Sequence, residues 1–398
     1  MDRYKYSIEL RYNRLKEKRS DLIRAEQIKS IIIDRDYINN NMPVIFTNIA
    51  LDKKMIDHMI KYQDTNTMVL TIYKYIYREG KLATKIKYIH NEMMYFIPDD
   101  LNYRASVDYG SKENDEREDM YKLISLGLMG LDAINNNKRT VNTVLKNTTM
   151  VNAVHYCTSH LNMVIERFHY NKKFNELLLK PQASTSAAIK YLNNINVFYK
   201  TPYRFFIDFD CGYLLSSSGT SVPKKGELIS SVLFVIRDPL DQDAMNEGMI
   251  TNHSTKNYQL FVSAADTKLT QNKITEKVYT SVSTISESGT SDSKDIKVNK
   301  SKFSTDKTQI IRVPGSNPNL IENISAAEDQ TSSHLSLNKI DVDLSIFTPN
   351  KRYVIKNFDG HKDRDGDFIL TRKRDLFYLE ADDRFAGNAM LELNQVTK

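Results

Sequence analysis

The sequence predicts a mostly β fold of the α+β class. Three observations carry that reading. Apolar and polar residues alternate at strand spacing towards both ends of the chain, whereas steps of three and four residues are concentrated in its middle. The chain holds 23 Tyr and 16 Phe but no Trp, and tyrosine suits half-buried strands and subunit interfaces. At 398 residues it exceeds one ordinary core and calls for about two to four domains. Hydrophobic residues at 40% and charged ones at 27% are globular values, and 13 Gly with 9 Pro exclude a collagen-like or linker-dominated chain.

The N-terminal hundred residues read as β with one helix. Ile31, Ile32 and Ile33 mark a strand over 29–34, and Val44, Ile45 and Phe46 open another. Met55, Ile56, Met59 and Ile60 form the inward face of a helix over 53–62, with Asp52 as its N-cap. A long strand over 68–77 sets Val69, Thr71, Tyr73, Tyr75 and Tyr77 against Leu70, Ile72 and Ile76. Glu79 and Gly80 turn it back through Ile86, Tyr88 and 93–97, which suggests a small barrel or rolled sheet. The acidic stretch 108–119 is a boundary loop.

Beyond it, Ile124, Leu126 and Leu128 give a strand, with Gly127 and Gly130 at close backbone approaches. After a turn at Asn135, Asn136 and Asn137, Val151, Val154, Thr158, Leu161, Ile165 and Phe168 predict one amphipathic helix, capped by Thr148 or Thr149. Residues 174–219 read as strand, proline stop at Pro181, short helix over 184–192, then a hairpin of two aromatic-rich strands. Val232, Leu233, Phe234, Val235 and Ile236 form a buried strand, far too short to span a bilayer. The Ser/Thr-rich stretch 263–339 keeps strand spacing at Ile296 with Val298 and at Ile311 with Val313; it reads as an inserted, partly exposed β region, with long mobile loops as the alternative. From Ile340 the pattern is compact β again, and this tail is expected to close onto 230–236 with the polar stretch emerging as an insertion.

The formal charge of +6, from 56 basic and 50 acidic residues, is interspersed. Arg3, Lys5, Arg11 and Arg14 are offset by Glu9, Glu17, Asp21 and Glu26, which makes a solvated face rather than the single-sign stripe of a nucleic-acid binder. Cys157 and Cys211 cannot build a disulfide framework, so folding in a reducing cytoplasm is expected, and the N-terminus lacks a signal-peptide core.

Candidate chemistry is sparse. Cys157 and His160 share a helix face at three-residue spacing, but His155 lies off that face, and His90, His169 and His253 have no Cys or His partner at ligand spacing. In 359–367, placing Gly366 at the glycine of a calcium loop puts His361 and Arg372 where carboxylates belong, so a solvated turn is expected. Asp208 and Asp210 flank Phe209 and could pass for a carboxylate pair, yet the polar end of a hairpin is the simpler account. Without a nucleophile elbow, Walker loop or dinucleotide fingerprint, the expectation is no enzyme, with no catalytic, cofactor-binding or metal residues and no cofactor.

One resemblance decides the functional expectation. Leu178, Leu179 and Pro181, then Ala188, Ile189, Tyr191 and Leu192, then Tyr203, Arg204, Phe205, Phe206 and Asp208 resemble an idiom from the middle of baseplate hub proteins of contractile-tailed bacteriophages. Leu126, Gly127 and Leu128 with 146–149, and more weakly 42–45 and 347–353 with 366–370, extend it; Lys180 departs where the idiom has a second proline. That family is similar to the hub half of the type VI secretion spike protein. The resemblance implies two tail-tube-like β-barrels: 1–106, and 206–262 plus 340–398. A helix-bearing middle domain, 107–205, and the insertion 263–339 complete the chain. It also implies a homotrimeric virion ring, assembled in the host cytoplasm, that joins the sixfold tail tube to the threefold central spike. The implied partners are further copies of the chain, the tube protein, the spike or tail lysozyme, and tape measure and wedge proteins. No membrane is involved, and genome DNA only passes through the ring. The alternatives are another tail component, such as a receptor-binding or wedge protein, a tail-associated hydrolase, or a nucleic-acid-binding module.

Overall fold

The computed structural model describes residues 3–38, 42–78, 80–97, 121–182, 184–209, 211–225, 231–237, 250–252, 257–263, 267–271, 275–282, 293–297, 305–314, 333–340, 343–357, 365–380 and 384–396. Strands β1 (Arg3–Arg14) and β2 (Arg19–Ile23) are followed by β3 (Ile28–Asp36), β4 (Val44–Leu51), helix α1 (Lys53–Lys61), β5 (Thr67–Arg78), β6 (Lys81–Phe96) and β7 (Lys122–Gly130). The middle of the chain holds α2 (Leu131–Lys138), β8 (Val141–Thr149), α3 (Met150–Cys157), β9 (Met163–Ile165), β10 (Lys173–Gln182), α4 (Thr185–Ile195), β11 (Tyr203–Asp208) and β12 (Cys211–Ser216). Then come β13 (Ser231–Arg237), β14 (Ile250–Asn252), β15 (Asn257–Ser263), β16 (Thr267–Gln271), β17 (Thr275–Val282), β18 (Ser293–Lys297), β19 (Thr305–Pro314) and β20 (Ser333–Ile340). A 3-10 turn, Leu344–Ile346, precedes β21 (Arg352–Asn357), β22 (Gly366–Leu379) and β23 (Phe385–Gln395).

A closed barrel organises the molecule. Its order is β22-β3-β4-β7-β6-β5-β1-β23, and β22 pairs back to β23. Strand alternation explains the closure: Ile31 and Ile33, Met68, Leu70 and Ile72, and Leu126 and Leu128 all point inward at period two and lose their contact with water. Between β1 and β23 the seam is short, with Tyr6 opposite Phe385. There Gly387 admits the buried Tyr6 ring, since a Cβ would lie 2.7 Å from Tyr6 Cε2 and 3.0 Å from Leu344 Cδ1. Helix α1 lies on the barrel with Ile56 and Met59 buried, started by Asp52, whose carboxylate accepts from the Met55 N–H at 2.8 Å. Ile60 was expected on the inward face and is instead 44% exposed, because it stands 100° round the helix from Met59.

β22 and β23 are longer than one barrel needs. Residues 372–378 of β22 pair with β3, whereas Gly366, Asp367 and Phe368 pair with β21. β23 divides likewise, with Phe385 against β1 and 389–394 against β20. The same hairpin therefore continues into a second ladder, β14-β15-β13-β21-β22 on one side and β23-β20-β16 on the other. Within it β13 lies between β15 and β21, both parallel to it, which buries Val232, Phe234, Val235 and Ile236. β17, β18 and β19 form a separate small sheet, and β16 with β20, which bracket 272–332, belong to the large one.

The middle segment has its own core. Val141, Met150, Val154, Ile189, Leu192, Phe198 and Leu214 are buried in a cluster distinct from the barrel's. Hairpin β11–β12 joins the two, because its alternate side chains enter different cores: Phe205 and Leu214 the middle one, Phe206, Tyr213 and Leu215 the barrel's. Two expectations are corrected here. Asn135, Asn136 and Asn137 lie inside α2 rather than in a turn, and Asn136 is buried and holds His160 Nε2 at 3.1 Å. The helix expected to reach Phe168 ends at Cys157. Thr158 closes it, its N–H and hydroxyl both donating to Val154 O, and 163–165 is captured as β9 by parallel pairing with β12. Phe168, Leu161 and Ile165 still pack in the same core, so the apolar spacing reported burial while the backbone became extended. Thr149 and Ser184 cap α3 and α4.

Gly387→Ala is expected to lower unfolding free energy by about 1–3 kcal/mol, since neither Tyr6 nor Leu344 has room to move. In Gly130→Ala the new Cβ meets only Asn91 Oδ1 at 3.4 Å, so that variant should stay near wild type in the same urea titration.

Candidate functional site

The most unusual chemistry lies inside the barrel, where β3, β6, β22 and the β11–β12 hairpin meet. On β3 the inward phase set by Ile31 and Ile33 continues to Arg35 and Tyr37, and on β22 the phase of Phe377 continues to Asp375 and Lys373. Register puts Lys373 directly across from Arg35, so two buried cations face each other. Asp375, fully buried, relieves them: Arg35 Nη1 donates to its Oδ2 at 2.6 Å, and Lys373 Nζ lies 3.4 Å from its Oδ1. Tyr88 donates to Asp375 Oδ2 at 3.0 Å and accepts from Lys373 Nζ at 3.0 Å; Lys373 also donates to Leu344 O at 2.7 Å. Arg35 Nε reaches Asp208 at 3.0 Å, and Tyr37 donates to the same carboxylate at 3.4 Å. Nearby, Lys74 donates to both Asp343 oxygens and to Ser345 Oγ at 2.8 Å.

Burial works against the Arg35 charge, but Asp375 and Asp208 outweigh it and hold the guanidinium well above its ordinary range. Lys373 goes the other way: burial, only partly offset by Asp375, lowers it to about 8. Burial first, then Asp375, raises Tyr88 well above its ordinary range. A cavity of about 430 Å³ adjoins the cluster, bounded by Arg35, Lys74, Lys373, Asp208 and the 86–90 part of β6. The arrangement neutralises charge and fastens the hairpin to the barrel. Arg204 adds a second clasp, donating to Leu370 O at 2.9 Å, and burial lowers its guanidinium to about 10.

The residues singled out from sequence fall in different places. Asp208 belongs to this cluster, while Asp210 and 359–364 lie outside the described residues. Asp367 accepts from Arg352 Nη2 at 2.6 Å and 2.7 Å. Cys157 is buried in the middle core, which pushes its thiol up to about 11. Both ring nitrogens of His160 are engaged, Nδ1 by Arg139 and Nε2 by Asn136, and burial, with Arg139, lowers its proton affinity. Among the described residues no group of three His, Cys, Asp or Glu could hold a metal ion, and no helix is long and apolar enough to cross a membrane. Arg35, Lys373 and Asp375 escaped sequence reasoning; their signal was charge placed in phase with core-facing residues on two strands.

Outside the barrel, register aligns Phe96, Gly127, Phe46, Ile32 and Leu376 in one row across β6, β7, β4, β3 and β22. Phe96, Phe46 and Leu376 are exposed, as is Tyr378 two residues on, and Gly127 leaves room for the Phe96 ring, whose Cζ would sit 1.9 Å from a Cβ.

Comparison with known proteins covers nearly the whole chain. A family model described as Bacteriophage PBS1 gene 109 protein matches residues 3–397. Among solved structures, the chain is similar to the tail protein from Neisseria meningitidis MC58, with TM-score 0.53 and 11% identity over 98% of this chain and 96% of that one. It is similar to the 43 kDa tail protein of prophage MuSo2 from Shewanella oneidensis, with TM-score 0.54 and 9% identity over 97% and 98%. A chain of the Francisella PdpA-VgrG complex gives TM-score 0.51 and 8% identity over 99% of this chain, which spans 58% of that one. At such identities the likeness is one of fold. No curated protein matches the sequence.

Asp375→Asn is expected to destabilise the fold by about 3–5 kcal/mol, because it leaves Lys373 without its carboxylate partner and Arg35 with Asp208 alone. The pH dependence follows from Lys373. Between about 8 and its ordinary 10.5, the unfolded chain keeps a proton that the folded chain has released, so its contribution to stability rises with pH from about 8 to about 10. Above that, Tyr88 holds its proton when folded and loses it when unfolded, but that works in favour of deprotonating the unfolded chain and stability falls. Urea midpoints should therefore rise between about pH 8 and 9 in wild type, whereas Lys373→Met should lack that rise and show only a fall, begun above about pH 9 by the raised Cys157 thiol.

Proposed function

We propose that this chain, which belongs to the family of the bacteriophage PBS1 gene 109 protein, is a structural protein of a phage tail, and within the tail the baseplate hub ring. The observation that carries the reading is the shared hairpin: one chain holds a closed barrel and, through the same β22–β23, a second ladder built against it. Similarity to two tail proteins over at least 97% of this chain supports the same architecture from end to end. In this reading β13, β15, β21 and the outer halves of β22 and β23 are the frame of a second tube-like barrel, and the segment between β16 and β20 is its insertion. Three copies would then present six barrels to a sixfold tube while keeping threefold symmetry for a spike. The exposed row through Phe46, Phe96 and Leu376 supports packing against protein neighbours. The role is mechanical: the buried charges are engaged in holding elements together, and no catalytic step is assigned to them.

The partners of that role are further copies of the chain, a tail tube protein and a central spike, and its place is the tail of the virion. Mass measurement is the direct test. Chain assembled with its tube or spike partner should give a species of three times the 46.1 kDa of one chain, plus partner. Labelled antibody on intact particles should mark the junction of tube and spike. A chain that stays monomeric in the particle, or a label on fibres or at the baseplate periphery, replaces the hub by a receptor-binding or wedge role.

A further inference from the structure

Among the described residues, strand β6 is paired on one side only for most of its length. β5 covers it from Lys81 to Met93, whereas β7 reaches it only at Met93, Met94, Tyr95 and Phe96. Among the described residues no strand lies along the other edge of 81–92, so alternate N–H and C=O groups there lack a ladder partner. Residues 81–87 are all exposed. The cavity beside the buried charges runs along 86–90 of this same edge.

The edge is cationic. Lys81, Lys85 and Lys87 stand on β6; Lys85 lies opposite Tyr75 and Lys87 opposite Tyr73. The Lys85 ammonium sits 4.0 Å from the Tyr73 ring centroid, and Arg384 lies 4.0 Å from that of Tyr75. Among the described residues, three nearby carboxylates are occupied: Asp208 by Arg35, Asp343 by Lys74, Glu380 by Lys5. Glu92, at the far end of β6, accepts from Thr67 at 2.6 Å.

These charges select the occupant. Lysines along an edge keep two copies of that edge apart, because pairing would set like charges opposite one another. A strand carrying carboxylates meets no such penalty and gains ladder hydrogen bonds as well as ion pairs. We propose that the open edge of β6, residues 81–92, accepts an extended acidic segment of a partner protein as an added strand, with Lys81, Lys85 and Lys87 receiving its carboxylates. This goes beyond the hub assignment and does not depend on it.

The test uses the full chain and a labelled alternating glutamate–valine peptide long enough to span 81–92, followed by fluorescence anisotropy. Binding is expected, at least about tenfold tighter than that of an equally charged peptide interrupted by proline, and with none for a lysine–valine peptide. Lys85→Glu with Lys87→Glu should weaken binding by about tenfold or more, whereas Lys190→Glu on α4 should not. Thermal melting checks that each variant is folded, and Lys81→Gln with Lys87→Gln serves if the double reversal is not. No binding, equal binding of the proline peptide, or insensitivity to the lysine substitutions overturns the proposal. So does self-association through this edge, seen as a change of mass when the lysines are reversed.

Discussion

Lys373 and Arg35 face each other across two adjacent barrel strands, and Asp375, one inward step along from Lys373, lies within reach of both. Two buried cations with no carboxylate between them would push β3 and β22 apart at the point where the eight strands must meet. One carboxylate, with the Tyr88 hydroxyl and Leu344 O, takes up their charge and their hydrogen bonds. The other features follow from holding β22 against β3. The 3-10 turn at Leu344 is fixed by Lys373, the β11–β12 hairpin by Arg35 through Asp208, and the remainder of β22 is free to continue into the second ladder.

Such a cluster is a costly way to stabilise an interior, since apolar side chains of similar volume would serve as well or better. What it adds is specificity of arrangement. A hydrocarbon core tolerates several relative placements of hairpin and barrel; Asp208 and Arg35 tolerate one, because a displaced hairpin leaves a buried charge alone. Hairpin β11–β12 has particular need of such a clasp. Its two faces enter different cores, so apolar burial by itself does not choose which face belongs to which.

Much of this was legible in the sequence, and the failures have physical causes. The strands around Ile31–Ile33, Val44, Val69 and Leu126 were readable because one face is core and the other solvent, which writes period two directly. Asp52 and Thr149 announced their helices by side-chain chemistry that acts within three residues. The stretch 158–168 was misread because Leu161, Ile165 and Phe168 are buried by a distant hairpin, and a parallel partner arriving from 212–214 leaves no local trace. The buried cluster was hidden for the same reason: Arg35 and Asp375 are 340 residues apart, and each alone looks like an ordinary charged residue on a strand. Only their common phase with neighbouring core residues could have marked them.

The shared hairpin has a mechanical consequence. Hydrogen bonds between antiparallel strands run across the strand axis, so a pull along β22 and β23 in opposite directions loads the whole ladder at once, in shear. Drawing the two strands past each other therefore means rupturing many bonds together rather than unzipping them singly. A stretch applied to one sheet is passed to the other through covalent backbone, across the bulge between Leu370 and Arg372. The molecule behaves as a tie rod with a barrel built round one end, stiff along the direction in which its longest strands lie.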